Sequence, residues 1–148
     1  MKIINIKNII NITNFKTLYD KTFWKNWIGQ QHFCDEFLEK TFYNKNYNYL
    51  IMLNKDEIIG IFVYEKVLNT NIYKIILIAK QDSSKYKKIG KQFIRFMELK
   101  YKNNILILID DSWIENYYEK LGFKLTSNKY YSHLLESKTN KKIYKKNI

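Results

Sequence analysis

Residues 72–123 read, in order, IYKIILIAK, a polar turn, IGKQFIRFMELK, ILILID and finally YEKLGF. The first run is an almost continuous apolar strand, which is typical of a strand covered on both faces of its sheet. The turn at 85–91, KYKKIGK, leads from that strand into an amphipathic helix. The first turn of a helix leaves backbone N–H groups without intrahelical partners, at the positive end of the helix dipole. The turn therefore predicts an anion-binding site.

The residues before this unit predict strands and helices in one mixed fold. Residues 2–6 alternate weakly and predict an edge strand, and two helices are expected between 13 and 41. The β-rich runs 47–53 and 58–65 predict a hairpin with a four-residue connection. Gly60 lies inside the second run, so it predicts a bulge or a close backbone approach.

The helix after residue 80 has three candidate N-caps, Asp82, Ser83 and Ser84. The apolar run 105–109 follows that helix. Because a strand–helix–strand crossover joins parallel strands, we expect this run to lie parallel to 72–79.

The remainder of the chain predicts a short helix and a closing hairpin. The helix covers 113–121 and ends at Gly122, a residue type that favours the left-handed C-cap position. The runs 123–125 and 130–136 predict the hairpin. A Lys- and Asn-rich segment, 137–148, is interpreted as a frayed basic tail.

Composition indicates one globular domain, which we place at 1–136. The chain has 148 residues, of which 46% are hydrophobic and 17% aromatic, far too apolar for a disordered protein. Its net charge of +12 is compatible with a nucleic-acid or other polyanionic partner. We do not favour nucleic acid, because Arg95 is the one arginine among 26 basic residues, and arginine best reads phosphates and base edges.

A soluble cytoplasmic protein without a metal is expected. Cys34 is the single cysteine, so no intramolecular disulfide or cysteine-rich zinc site is possible. The two histidines, His32 and His133, form no recognisable ligand cluster. No apolar run approaches the ~20 residues of a membrane span, and the N-terminal residues lack a signal-peptide core.

Two local motifs resemble those of the GCN5-related N-acetyltransferase (GNAT) superfamily, over about residues 1–136. The stronger is NYYEKLGF at 116–123, which resembles the family's FYEKLGF helix ending. The second is the turn, where the family has Gln/Arg-x-x-Gly-x-Gly/Ala and this chain has Lys85, Lys88 and Gly90. Lys88 replaces the first glycine, and it can still offer its N–H there if its φ is negative.

The resemblance implies an α+β fold, layered α/β/α: the GNAT-like acyl-CoA N-acyltransferase fold. We expect a mixed sheet of six to seven strands with about four helices. It also implies acetyl-CoA as the acetyl donor, with the pantetheine arm paired to exposed backbone of Ile78, Ala79 and Lys80. The pyrophosphate would bind the N–H groups of the turn, and Asp111 matches an asparagine that contacts the pantetheine arm. The turn residues are Lys85, Tyr86, Lys87, Lys88, Ile89, Gly90 and Lys91.

Acetyl transfer to a primary amine requires a base, an oxyanion site and a proton donor for the leaving thiolate. Tyr118 matches the family tyrosine that protonates the coenzyme A sulfur. Glu65 and Asp110, at two strand ends, are the candidate bases, although both are also ordinary strand-end charges. The acceptor is expected to be a small molecule or a peptide amine, and the protein a monomer or homodimer. Two alternatives stay open: a GNAT-fold binding module without activity, and a basic nucleic-acid-binding domain.

Overall fold

The structure, a computed structural model, describes residues 1–6, 46–55, 57–80, 87–110, 117–135 and 142–148. Within these ranges there are seven strands and three helices. The strands are β1 (Lys2–Ile6), β2 (Tyr47–Asn54), β3 (Glu57–Lys66), β4 (Ile72–Lys80), β5 (Ile105–Asp110), β6 (Lys124–Thr126) and β7 (Lys142–Asn147). The helices are α1 (Ile89–Lys100), α2 (Tyr117–Lys120) and α3 (Lys129–Leu134). None of the described helices is long and apolar enough to cross a membrane. The two helices predicted between 13 and 41 lie outside the described residues.

All seven strands form one sheet in the order β1-β2-β3-β4-β5-β7-β6. Its strand pairs are antiparallel except β4 with β5, which is parallel. The parallel pair follows from the α1 crossover, as the sequence predicted. The edge position of β1 and the β2–β3 hairpin are also confirmed.

The hairpin differs from its prediction in the length of its turn. Asn54 pairs with Glu57, so two residues connect the strands rather than four. Lys55 is one of these two and adopts a φ of 55°, the left-handed conformation that tight hairpin turns require.

Gly60 combines both properties that were predicted for it. The β2–β3 register shifts beside it, so that Met52 pairs with Gly60 while Leu53 pairs with Ile58. A Cβ on Gly60 would lie 2.6 Å from Ile89 Cγ2 and 2.9 Å from Phe93 Cε2. A side chain here would therefore push α1 away from the sheet.

The sheet buries apolar side chains on both faces. On β3, Phe62 and Tyr64 point toward α1, whereas Ile61 and Val63 point to the opposite face, as strand alternation requires. The α1 face holds the larger cluster, which includes Phe93 and Met97 of α1 and Leu106 of β5. The opposite face carries two separate clusters, one on β2 and β3 and one beneath α3.

The predicted closing hairpin is wrong in its second half. Residues 129–134 form α3, not a strand, and Asn128 caps the helix by accepting a hydrogen bond from the Tyr130 N–H at 3.0 Å. Tyr131 and Leu135 then reach the apolar cluster beneath α3. The Asn cap and the helical spacing of these two residues outweigh the strand preference of the tyrosines.

The prediction of a frayed tail is wrong for residues 142–147. They form β7, which lies between β5 and β6 and is antiparallel to both. Ile143 and Tyr144 are 3% and 5% exposed and belong to clusters on opposite faces of the sheet. Only two adjacent residues of β7 are apolar, and they point to opposite faces of the sheet. The strand therefore lacks the alternating pattern by which a strand is predicted from sequence.

Lys146 of β7 connects the last strand to two helices. Its Nζ lies 2.8 Å from Glu98 Oε1 on α1 and donates a hydrogen bond to the Leu121 carbonyl oxygen at 2.9 Å, just after α2. The hydrogen bond from Lys146 lowers the pKa of the Glu98 carboxyl below its usual range. The carboxylate is therefore the favoured form at neutral pH, and it holds β7 against α1.

Candidate coenzyme and acceptor site

β4 and β5 lie side by side for only three residue pairs, Ile72–Ile105, Tyr73–Leu106 and Lys74–Ile107. Beyond Lys74, β4 continues to Lys80 along β3, whereas β5 continues to Asp110 along β7. In the described part of the chain, residues 75–80 therefore have no strand partner on their β5 side. We call the space between the two diverging strands the β4–β5 cleft. Such an edge offers N–H and C=O groups to an extended ligand.

A bulge in β4 accompanies this divergence. Tyr64 pairs with Ile75 and Val63 pairs with Leu77, so Ile76 has no opposite residue on β3. A bulge bends its strand and increases the local twist. The bulge therefore lies where β4 leaves β5, and it provides a structural reason for the cleft.

The N-terminus of α1 lies over the far end of the cleft. Ile89, the first residue of α1, contacts the position of Gly60, which pairs with Lys80 at the end of β4. The free N–H groups of the first helical turn therefore lie near the C-terminal end of β4. Ligands of α/β sheets commonly bind beyond that end of a strand.

The N-cap of α1 is Lys88, so the prediction that Asp82, Ser83 or Ser84 caps this helix is wrong. These three residues lie outside the described ranges. Lys88 has φ 61° and ψ 26° and makes no side-chain capping hydrogen bond. The condition of a negative φ at Lys88 is therefore not met. The lysine instead adopts the left-handed conformation that a glycine adopts at little cost, at the position where the resembling signature has glycine.

Lys88→Gly is expected to raise the free energy of unfolding by about 1 kcal/mol, the cost of a left-handed residue that carries a Cβ. Chemical denaturation measures the change. The matched control is Lys87→Gly, an exposed neighbour outside the left-handed region, which should lower stability through the greater freedom of glycine in the unfolded chain. Equal losses from both variants would contradict the strain at Lys88.

Gly90 makes room for a side chain from α2. A Cβ on Gly90 would lie 2.6 Å from the Tyr117 hydroxyl oxygen, but 3.7 Å from both Tyr117 Cζ and Leu121 Cδ1. Burial raises the pKa of Tyr117, so its hydroxyl stays protonated at neutral pH. The structure thus brings together the two motifs that carry the family resemblance, at the start of α1.

Gly90→Ala is expected to lower the free energy of unfolding by about 1–3 kcal/mol, because the new methyl group overlaps the Tyr117 hydroxyl. In a Tyr117→Phe background that oxygen is absent. The same substitution should then be neutral or stabilising by about 0.5 kcal/mol, since alanine favours a helix over glycine. Denaturation of the four proteins of this double-mutant cycle measures the coupling. Equal effects of Gly90→Ala in both backgrounds would contradict the contact.

Tyr118, the predicted proton donor, lies in an aromatic cluster. Its ring centroid is 5.1 Å from that of Tyr117, 5.5 Å from that of Tyr144 and 6.2 Å from that of Phe123. The side chain is half-buried against the α1-face core. The turn after it is closed by Gly122 at φ 91°, and the Phe123 N–H donates to the Tyr118 carbonyl oxygen at 3.0 Å. Gly122 thus ends α2 as predicted.

The two candidate bases lie at different places along the cleft. Glu65 is directly opposite Lys74, where β4 and β5 still pair, whereas Asp110 is the last residue of β5 and pairs with Lys142. Asp110 is three residues beyond Ile107, the partner of Lys74, which corresponds to about 10 Å along the strand. The strand register therefore places the two residues at different levels of the sheet.

The structure describes some of the predicted coenzyme-binding residues and not others. Ile78, Ala79 and Lys80 lie on the part of β4 that has no described strand partner on its β5 side, as pairing of a pantetheine arm with their backbone would require. Lys87 and Lys91 are exposed on either side of the α1 start. Lys85, Tyr86 and Asp111 lie outside the described residues.

A cavity of about 540 Å³ lies at the opposite end of β4 from the turn. It is lined by Asn46, Asn48, Glu65, Lys66, Val67, Leu68, Lys74, Leu134 and Leu135. This volume is in the range of small-molecule sites. Of these residues, the sequence predicted a functional role only for Glu65. The others were missed because β2, β3, β4 and α3 contribute them from distant parts of the chain. Tyr117 was also missed, although its position beside Tyr118 in the NYYEKLGF motif was a usable signal.

Solved structures with the same fold are acetyltransferases. GCN5 of Tetrahymena matches with a TM-score of 0.71 and 14% identity, over 98% of this chain and 94% of that chain. An aminoglycoside 6'-acetyltransferase type Ii matches with 0.65 and 14%, over 99% and 97%. The PaiA N-acetyltransferase of Thermoplasma acidophilum, solved with coenzyme A, matches with 0.61 and 15%, over 100% of both chains. No protein-family model and no curated protein matches the sequence.

The chain thus has the GNAT acyl-CoA N-acyltransferase fold, and the predicted fold class is confirmed. At 12–16% identity, the likeness to these structures establishes the fold alone. The described part of the chain contains seven strands, within the predicted range, and three helices of the four expected.

Proposed function

We propose that the protein is an N-acetyltransferase that moves an acetyl group from acetyl-CoA to a primary amine. One observation carries the proposal. Among the described residues, β4 has an unpaired edge that runs toward the N-terminus of α1, where Lys88 adopts the left-handed conformation that glycine adopts at little cost. An extended arm and a pyrophosphate would require these two features in this order.

In this proposal the pantetheine arm pairs with the backbone of Ile78, Ala79 and Lys80. The pyrophosphate binds the N–H groups of residues 85–91, and the exposed ammonium groups of Lys87, Lys88 and Lys91 add charge attraction. Gly90 keeps the start of α1 free of a side chain, and Asp111 contacts the arm.

The chemistry requires the ammonium nitrogen to lose two protons, one before attack and one from the tetrahedral intermediate, and the sulfur to gain one. Glu65 or Asp110 takes the ammonium proton, directly or through water. The amine nitrogen then attacks the thioester carbonyl carbon, and a backbone N–H from the unpaired part of β4, residues 75–80, stabilises the oxyanion of the tetrahedral intermediate. The C–S bond breaks as the Tyr118 hydroxyl gives its proton to the sulfur, and the second proton of the attacking nitrogen passes to the Tyr118 phenolate or to water.

A second candidate is a coenzyme-binding module that transfers nothing. The packing of Tyr118 among three aromatic rings favours it, because the ring then has a purely structural reason to be present. This candidate predicts coenzyme binding without thiol release.

Two measurements test the proposal. The first is calorimetric titration with acetyl-CoA, with S-acetylpantetheine as the control ligand that lacks the pyrophosphate. Acetyl-CoA is expected to bind more tightly than S-acetylpantetheine, and no binding at millimolar acetyl-CoA would overturn the proposal. The second is thiol release from acetyl-CoA over a panel of polyamines, aminosugars, aminoglycosides and peptide N-termini. Binding without release for any amine would favour the second candidate.

A further inference from the structure

The cavity of about 540 Å³ reaches the closed end of the β4–β5 cleft. Lys74 is the last β4 residue that pairs with β5, and it is also a lining residue of the cavity. The turn at 85–91, the proposed pyrophosphate site, follows the other end of β4, beyond Lys80. An arm that enters from the turn and follows β4 therefore points its thioester end toward the cavity. This position makes the cavity the acceptor side of the proposed reaction, so the inference below rests on the proposed function.

Two facing side chains give the cavity charges of opposite sign. Glu65 and Lys74 are directly opposite each other on β3 and β4, so both project from the same face of the sheet. Both are half-buried. Among the residues that the structure describes, neither side chain has a hydrogen bond or an ion pair. Both charges lie in the wall of the cavity.

The described lining residues of the cavity carry more positive than negative charge. Lys66 joins Lys74 in the lining, against one carboxylate among these residues, that of Glu65. The whole chain carries +12, so the surroundings reinforce this sign. Polycations such as aminoglycosides or polyamines place several ammonium groups in such a site, where two lysines repel them.

The rest of the lining suits a small polar molecule with some apolar surface. Asn46 and Asn48 supply amide groups on one side, and Leu134 and Leu135 supply apolar contact on the other. Ligand sites commonly combine a few polar groups with apolar walls in this way.

We propose that the acceptor is a small amine that also carries an anionic group, a phosphate or a carboxylate. Its amine lies at Glu65, which accepts the ammonium proton, and its anion lies at Lys74 and Lys66. Lysines bind both kinds of anion as point charges, so the shared chemistry is the negative charge.

Three related acceptors test this proposal by thiol-release kinetics. Glucosamine is the reference amine, because it carries no anionic group. Glucosamine 6-phosphate adds a phosphate, and muramic acid adds a carboxylate. We expect kcat/KM to be about tenfold higher for at least one of the anionic amines than for glucosamine, and spermidine to be the poorest acceptor. Equal use of glucosamine and both anionic amines, or preference for spermidine, would overturn the proposal. Comparison of kcat/KM between glucosamine 6-phosphate and muramic acid shows whether the site prefers a phosphate or a carboxylate.

Substitutions that change the charge of single residues test where the anionic group of the acceptor binds. Lys74→Gln is expected to lower the preference for the better anionic amine over glucosamine about fivefold, and Lys74→Glu to reverse it. Lys102→Gln removes the same charge from an exposed position after α1 and should leave the preference within twofold. Glu65→Gln should slow both acceptors while leaving their ratio unchanged. A preference that Lys74→Gln does not alter would contradict the assignment.

Equilibrium binding separates this inference from the proposed function. Glucosamine 6-phosphate and muramic acid are each titrated calorimetrically into the free protein and into the protein saturated with coenzyme A. Binding that weakens in Lys74→Gln but not in Lys102→Gln supports the anion site, even if acetyl-CoA fails to bind. If acetyl-CoA binds and neither anionic amine does, the acceptor class is wrong and the acetyltransferase proposal stands.

Discussion

Tyr118→Phe is expected to lower kcat for acetyl transfer about 100-fold while leaving the affinity for acetyl-CoA unchanged. The substitution removes one oxygen and keeps the ring, so the contacts with Phe123 and Tyr144 are retained. A positioned proton donor typically contributes a factor of about 10²–10⁴. Without it, the thiolate must leave unprotonated or take its proton from water. Single-turnover kinetics with saturating acetyl-CoA isolate this step.

The neighbouring tyrosine supplies the matched control. Tyr117→Phe also removes one hydroxyl from α2, but that hydroxyl lies against Gly90 at the start of α1. It is expected to change kcat less than threefold. Melting temperatures of both variants show whether a loss of activity is a loss of folding. If Tyr118→Phe keeps full turnover, Tyr118 is only an aromatic anchor. If Tyr117→Phe is the slow variant, the proton donor is Tyr117.

Deletion of residues 142–148 is expected to abolish the cooperative native state. β7 pairs with β5 on one side and β6 on the other, so its loss separates β6 from the sheet. Ile143 and Tyr144 leave the core, each worth about 1.5–3 kcal/mol of burial. The contacts of Lys146 with Glu98 and the Leu121 carbonyl oxygen are also lost. Together these approach the 5–15 kcal/mol that stabilises a typical domain.

Thermal unfolding followed by circular dichroism measures this effect. Two single substitutions at adjacent positions of β7, one buried and one exposed, show whether the effect comes from loss of burial. Ile143→Ala should lower stability by about 2–4 kcal/mol, since the side chain is 3% exposed, whereas the exposed Lys142→Ala should change it by less than about 0.5 kcal/mol. A truncated chain that unfolds cooperatively at the wild-type temperature would show that the segment is a dispensable tail.

Several elements around the candidate site could be predicted from the sequence because they are local. The strand at 72–80, the helix from Ile89 and the glycine turn at Gly122 each depend on residues close in the chain, where apolar spacing and φ preferences act directly. The left-handed conformation of Lys88 could not be read in this way. A lysine carries no preference for positive φ, so the residue type gives no local signal for the observed φ of 61°.

The sequence by itself determined the parallel β4–β5 pair, the β2–β3 hairpin and the resemblance to the GNAT fold. These follow from patterns within short windows. The tertiary structure alone decided that residues 142–147 form an inner strand, that β4 leaves β5 after Lys74, and that Glu65 and Lys74 pair beside a cavity. Each of these depends on strand register between segments far apart in the chain, which no local pattern encodes.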